Sequence, residues 1–274
     1  MKITPENYQF LSACLRKETG IELGSGREYL AESRLSELCQ QYALTSINEL
    51  IRTMRQGKPG VARSVMEALT TNETYFFRDE PAYAALRGTI LPALLAQRAA
   101  QKELRIWSAA CSTGQEPYSL AIMLEESFPQ LKGWKVSILA TDIAEEKVLE
   151  RAREGRYLDH EVKRGLTQQQ LFSHFERMGG GWLINPHFRR TVSFRRVNLL
   201  EVPPTVAEFD LILCRNVLIY FDLDTKRQVL NTLVDRLTPQ GFLVVGGSEV
   251  LFGVTDRVRR ESDASKASFY RRTL

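Results

Sequence analysis

Several short apolar runs in this sequence end in small or polar residues, and such ends are where an open sheet of parallel strands binds its ligands. The first run passes through Ser108-Ala109-Ala110-Cys111-Ser112-Thr113-Gly114-Gln115-Glu116-Pro117. Its small side chains let the backbone approach a ligand before a helix begins. GxGxxG is missing, which argues against a dinucleotide or any pyrophosphate. Glu116 at the helix entrance either pairs with a ligand ammonium group or faces the helix dipole as a first-turn carboxylate. The second run closes on Ala140-Thr141-Asp142-Ile143. There Asp142 either accepts from ribose hydroxyls or caps the helix that follows. A third run is followed by Asn198 and a fourth by Cys214-Arg215-Asn216-Val217-Leu218-Ile219-Tyr220-Phe221. A ribose-type acid beside a small-residue loop, with no phosphate signature, points to a nucleoside ligand without phosphates. S-adenosylmethionine is the common ligand that fits.

Other chemistries find little support. Cys14, Cys39, Cys111 and Cys214 show no CxxC spacing, and His160, His174 and His187 pair with no Cys or acid at ligand spacing. Reduced thiols and no structural metal are expected.

The elements that must position these residues fall into two kinds. From Thr4 to about Thr70 the periodicity is purely helical, as in Tyr8, Leu11, Leu15 and then Leu30, Leu35, Leu38, Tyr42. Breaks fall at Thr19-Gly20 and at Gly57-Lys58-Pro59-Gly60. Thr45, Ser46 and Asn48 are candidate caps for a third helix to Arg55, and Val61 to Leu69 makes a fourth. This predicts a helical N-terminal domain over residues 1–70. Beyond it, over 71–274, strands at Leu104–Ala109, Val136–Thr141, Val192–Val197, Phe209–Cys214 and Phe242–Val245 alternate with helices near Pro81–Ala99, Pro117–Phe128, Ala144–Arg153 and Leu223–Leu237. That alternation predicts a doubly wound α/β domain. The rhythm lapses from Gly155 to Arg190, which predicts a short helix from Thr167 to Phe175 and an inserted β-hairpin near 178–192.

The 274 residues carry 37 Lys and Arg against 33 Asp and Glu, and 43% are hydrophobic. This is enough to bury a core and too little charge for a polycation. The start, MKITPENYQF, has no apolar signal region, and no stretch approaches the ~20 apolar residues of a membrane span. A soluble, cytoplasmic protein is expected.

Thr71-Asn72-Glu73-Thr74-Tyr75-Phe76-Phe77-Arg78, Trp107 to Ser119, Ala140-Thr141-Asp142-Ile143, Val197-Asn198-Leu199 and Cys214 to Phe221 resemble, in order, the signatures of the chemotaxis receptor methyltransferase (CheR) family. The resemblance covers nearly the whole chain. It implies a helical domain followed by a class I, Rossmann-like methyltransferase domain that binds S-adenosylmethionine and releases S-adenosylhomocysteine. It further implies methyl transfer to glutamates on the cytoplasmic helices of chemoreceptors, giving γ-methyl esters. Carried over by residue, cofactor contacts fall on Asn72, Thr74, Arg78, Glu116, Asp142, Asn198, Leu199, Arg215 and Asn216. Arg78 and Tyr220 stand closest to the transferred methyl. Phe76 and Phe77 also read as plain core.

A glutamate side chain ordinarily titrates near pH ~4.3, so as nucleophile it is already ionised at neutral pH and needs no general base. No Ser-His-Asp or paired-carboxylate arrangement is therefore required. Family members that dock on a C-terminal receptor pentapeptide use the hairpin insertion, and Met178-Gly179-Gly180-Gly181-Trp182-Leu183-Ile184-Asn185-Pro186 looks short beside that type. Tether-independent recognition is expected, through the N-terminal domain with Arg27, Arg34, Arg52 and Arg55. These arginines also read as solvated helix faces. Two other readings compete. One is an RNA or small-molecule methyltransferase, for which Arg189, Arg190, Arg195 and Arg196 with Phe188 and Phe194 would form a basic-aromatic surface. The other is a non-catalytic, cofactor-binding adaptor. No direct nucleic-acid or membrane partner is expected.

Overall fold

A computed structural model describes residues 1–70, 73–144, 146–203 and 205–273. Two compact units divide the chain. One is Met1–Asn72 with Tyr220–Thr225, and the other is Glu73–Ile219 with Lys226–Leu274.

The first unit is built on four helices, α1 (Pro5–Thr19), α2 (Glu28–Gln41), α3 (Ile47–Arg55) and α4 (Val61–Leu69). The Thr4 hydroxyl caps α1, Pro5 opens it, and Gly20 ends it in the left-handed conformation at φ 77°. Ser46 caps α3 by accepting from Glu49 N–H at 3.2 Å. Tyr8, Leu11 and Leu15 of α1 meet Leu35 and Leu38 of α2, Leu50 of α3 and Val65 of α4 in one core. Tyr220–Thr225 joins these helices through its backbone, since Glu22 N–H donates to the Tyr220 carbonyl at 2.9 Å and Ile21 bridges Phe221. An Arg16–Asp222 ion pair lies beside that bridge.

In the second unit α5 (Glu80–Ala85), a π-turn (Leu86–Ile90) and α6 (Leu91–Arg98) lead into β1 (Glu103–Ala109). The spacing predicts one helix over Pro81–Ala99. Pro92 lacks the N–H that a continuous α-helix would need there, and the widened turn ahead of it absorbs the defect. The chain continues through α7 (Gln115–Ser127), β2 (Lys135–Asp142) and α8 (Glu146–Glu154). After an inserted segment come β6 (Val192–Arg196), β7 (Phe209–Cys214), α12 (Leu223–Asp235) and β8 (Leu237–Val245), then β9 (Val258–Glu261) and β10 (Phe269–Arg272). Strand order is β6-β2-β1-β7-β8-β10-β9. The first five strands pair in parallel, and β10 pairs antiparallel with both β8 and β9. From β1 the chain winds outward one way through β2 and β6 and the other way through β7 and β8. The reversal lies between β1 and β7, so the loops after these two strands flank the switch point where such sheets bind ligands.

The insertion holds β3 (Arg156–Tyr157), α9 (Asp159–Val162), α10 (Gln168–His174), β4 (Phe175–Met178), β5 (Gly181–Ile184) and α11 (Pro186–Thr191). The hairpin expected near 178–192 is β4–β5, and it ends at Ile184. Pro186 at the start of α11 turns the rest into a helix. The insertion also covers the Tyr75–Phe77 segment. Phe76 is fully buried, edge-on to Tyr157 at 5.0 Å and Phe175 at 5.5 Å. The core reading of Phe76 therefore holds.

Candidate active site

The loop after β1 turns sharply, and the backbone shows it. Ala110 and Ser112 have positive φ (63° and 51°), as do Phe77 (53°), Asp79 (74°) and Asn216 (59°). Non-glycine residues tolerate this region only where their surroundings hold them, and such positions cluster at functional sites. Gly114 ends the loop at φ 94°, and a Cβ there would stand 3.1 Å from Ala152 Cβ and from the Tyr157 hydroxyl. The residue that must be small is therefore Gly114, the N-cap of α7.

Asp142 is 8% exposed at the end of β2. One carboxylate oxygen accepts from Ser112 N–H at 2.7 Å and the other from Ala144 N–H at 2.9 Å. It thus ties the β1 loop to the β2 loop and closes a turn on its own backbone. Helix α8 begins later, at Glu146, so Asp142 is not its N-cap. Burial raises the Asp142 pKa, and the backbone donors pull it partly back. Val197 N–H donates to the Asp142 carbonyl at 2.9 Å, which sets Asn198 and Leu199 beside this turn. The Asn198 amide oxygen accepts from Leu200 N–H at 3.1 Å, and Leu199 is buried.

Arg215 is the cation at the end of β7, with its side chain 2% exposed. It donates to Glu116 at 2.8 Å, to the Arg78 carbonyl at 2.6 Å and pairs with Asp79 at 3.2 Å. The second Glu116 oxygen accepts from the Ser108 hydroxyl at 2.7 Å. Burial alone would lower the Arg215 pKa, but Glu116, the Tyr83 phenol and Asp79 outweigh it and hold the guanidinium above its ordinary value. Its Nε is buried without a hydrogen-bond partner. Arg78 sends its own guanidinium to the Glu73 carbonyl and lies 5.7 Å from the Tyr75 ring centre. Thr74 is half-buried in the same segment. Asn72 lies outside the described residues.

Asn216 holds its left-handed conformation through Glu249, which accepts Asn216 N–H at 2.9 Å. Glu249 escaped the sequence reading, although Gly246-Gly247-Ser248-Glu249 directly follows β8. The rule that strand ends carry the chemistry applies to that run as well.

Within its own unit, Tyr220 lines a small cavity of about 60 Å³ with Ile21, Leu30, Leu69, Arg27 and Arg34. Arg34 donates to the Leu69 carbonyl at 2.6 Å. Arg55 lies 4.2 Å from the Phe10 ring centre and 3.7 Å from Glu6. The basic-aromatic run reads differently in three dimensions. Phe188 and Phe194 are 2% and 7% exposed, inside the core, so neither ring offers a stacking face.

Two family models divide the chain. "CheR methyltransferase, all-alpha domain" matches residues 6–70 and "CheR methyltransferase, SAM binding domain" matches residues 72–266. The chain is 39% identical to chemotaxis protein methyltransferase 1 of Pseudomonas aeruginosa over 93% of this chain and 94% of that protein. It is also 39% identical to the chemotaxis protein methyltransferase Cher2 of Pseudomonas putida, over 91% and 92% of the two chains. Identity to the chemotaxis protein methyltransferase of Vibrio parahaemolyticus is 39% over 93% of each. The chain belongs to the CheR methyltransferase family and is an S-adenosylmethionine-dependent methyltransferase.

Proposed function

We propose that this enzyme methylates glutamate γ-carboxylates on the cytoplasmic helices of chemoreceptors, giving γ-methyl esters and S-adenosylhomocysteine for sensory adaptation in the cytoplasm. The observation that carries this reading is the match to chemotaxis protein methyltransferases across more than nine-tenths of both chains. Among the described residues no helix is long and apolar enough to cross a membrane.

The site fits the cofactor. A loop of small residues stands at the switch point, a buried carboxylate closes β2, and Arg215 keeps a buried Nε without a hydrogen-bond partner. In this reading Asp142 accepts from the ribose hydroxyls. The family resemblance assigns the rest of the cofactor site to Asn72, Thr74, Arg78, Glu116, Asn198, Leu199, Arg215 and Asn216. The bound cofactor supplies an electrophilic methyl on a sulfonium centre. A carboxylate oxygen bonding to that methyl as its bond to sulfur breaks would leave neutral S-adenosylhomocysteine and neutralise both charges, so alignment and exclusion of water would carry the rate. Arg78 and the Tyr220 hydroxyl aim the incoming carboxylate. A hold stronger in the ground state than in the transition state would raise the barrier, so two modest contacts serve better than a tight ion pair.

Incubation with tritium-labelled S-adenosylmethionine and the receptors of the same cell should release methanol in alkali, because γ-methyl esters hydrolyse there and N-methyl groups do not. Tyr220→Phe keeps the ring and should lower kcat while leaving cofactor affinity intact. Alkali-stable label would refute the glutamate substrate. Equal losses in turnover and cofactor affinity would make Tyr220 a structural residue.

Recognition of the receptor rests on the N-terminal domain. The β4–β5 hairpin has strands of only four residues each, which supports independence from a receptor tail. Full-length and tail-truncated receptors should then be methylated at similar rates. Arg34 and the exposed Arg55 have partners inside the domain, so the exposed Arg27 and Arg52 give the cleaner test. Their joint replacement by Ala should raise KM for receptor, most at low salt, because such attraction is screened over about 8 Å at physiological ionic strength. A normal KM at low salt would remove this surface.

A further inference from the structure

Glu249 is 4% exposed, and each of its carboxylate oxygens is committed to backbone. One oxygen accepts from Asn216 N–H at 2.9 Å and from Gly246 N–H at 2.6 Å. The other accepts from Ile219 N–H at 3.2 Å. The carboxylate therefore grips both ends of the turn that leaves β7, at the cofactor-side residue Asn216 and at the residue immediately before Tyr220. Its own N–H donates to the Gly246 carbonyl at 2.8 Å, which closes the loop after β8 on itself. There is no slack in this packing. A Cβ on Gly246 would stand 2.7 Å from the Glu249 carboxylate and 2.9 Å from the Asn216 side-chain nitrogen.

The arrangement repeats on the far side of the switch point. Ser112 also has positive φ, and its N–H is also held by a buried carboxylate, that of Asp142. Each strained turn at the switch point is thus stapled by an acid from the next strand outward. Asp142 closes β2 beside β1, and Glu249 follows β8 beside β7. A buried carboxylate that accepts several backbone donors fixes their geometry closely, because moving any one of them strands a buried polar group.

We propose that Glu249 is a positioning residue for methyl transfer. It holds the Arg215–Ile219 turn so that Asn216 faces the cofactor and the chain enters Tyr220 in the orientation that aims the acceptor carboxylate. This inference rests on the reading of Tyr220 as the group that orients the carboxylate. A shift of about 1 Å in such a group can cost on the order of 100-fold in rate.

The two oxygens make the idea testable with one conservative change. In Glu249→Gln the side-chain oxygen can keep Asn216 and Gly246, which leaves the amide nitrogen facing Ile219 N–H, a donor against a donor. The opposite orientation would oppose two donors rather than one. Glu249→Gln should therefore bind S-adenosylhomocysteine within about threefold of wild type by calorimetry, while kcat on receptor falls at least about tenfold with KM for cofactor little changed. Glu249→Ala releases both ends and should lose cofactor affinity as well.

A double-mutant cycle separates positioning from general destabilisation. In a Tyr220→Phe background the Gln change should have little further effect on kcat, because both act on the same hydroxyl. The proposal is overturned if the two changes multiply, or if Glu249→Gln turns over at the wild-type rate. Wild-type turnover by Tyr220→Phe alone would instead remove the role assigned to Tyr220, whatever Glu249 does. Thermal melts of each variant with bound S-adenosylhomocysteine show that the comparison is made on folded protein.

Discussion

Arg215→Ala should destabilise the protein by about 3–5 kcal/mol, the range for removing one partner of a buried ion pair. The guanidinium is 2% exposed, while the Glu116 and Asp79 side chains it serves are 13% and 25% exposed. Without Arg215 both acids remain close together in a partly desolvated site, and the Arg78 carbonyl loses its donor. Because the acids keep some contact with water, the loss should fall toward the lower end of that range. Arg215→Lys should recover only part of it, since an ammonium cannot reproduce the forked donation to Glu116, Asp79 and the Arg78 carbonyl. Glu116→Gln should cost less than Arg215→Ala, because an amide still accepts from a guanidinium. Denaturant unfolding of the four proteins measures the ranking. A loss below about 1 kcal/mol for Arg215→Ala, the scale of an exposed ion pair, would show that the cluster is solvated and does not hold the site together.

Asp142→Asn should weaken S-adenosylhomocysteine binding by roughly 1.5–3 kcal/mol, the range for hydrogen bonds to a charged group. Asn is the informative replacement. Its side-chain oxygen can keep one of the Ser112 and Ala144 donors, whereas Ala would free both and confuse lost binding with a loosened loop. Unchanged affinity in a folded Asp142→Asn protein would take Asp142 out of the cofactor site.

The pH dependence carries its own sign. Burial raises the folded-state pKa of Asp142 above its ordinary value. Its contribution to stability is therefore fully present below the unfolded pKa and is lost as pH rises through the folded one. Ligand hydroxyls that donate to the carboxylate favour its ionised form. Affinity for S-adenosylhomocysteine should thus strengthen as pH rises through the raised pKa, with release of a proton on binding. This dependence should vanish in Asp142→Asn. Calorimetry in buffers of different ionisation enthalpy measures it directly.

Much of this molecule was legible from local pattern. The four N-terminal helices follow a 3.6-residue apolar period, and Val61–Leu69 lies where that period places it. The central strand β7 is a near-continuous apolar run because both of its faces are covered, and Phe209–Cys214 is buried along its whole length, whereas β6 at the sheet edge sets buried Val192 and Phe194 against exposed Ser193 and Arg195. Strands β9 and β10 were not legible. They read Val-Arg-Arg-Glu and Phe-Tyr-Arg-Arg, and the charged residues hide the strand signal, those of β9 guarding the sheet edge and those of β10 lying on an inner strand between β8 and β9. The long β8 was truncated at Phe242, because Thr238-Pro239-Gln240-Gly241 carries the marks of a turn.

The site divides along the same line. Residue type and position at a strand end are properties of the chain, so the sequence by itself placed Glu116, Asp142, Asn198, Arg215 and Asn216 at one sheet edge and pointed to a ligand without phosphates. Partners across the sheet are not local properties. Only the tertiary structure decided that Arg215 gathers Glu116, Asp79 and the Arg78 carbonyl, and that Asp142 spends both oxygens on backbone. It also decided that Glu249, 33 positions beyond Asn216, grips the turn after β7. Strand order sets which loops become neighbours. That order is fixed by packing helices onto both faces of a twisted sheet, and no window of sequence contains it.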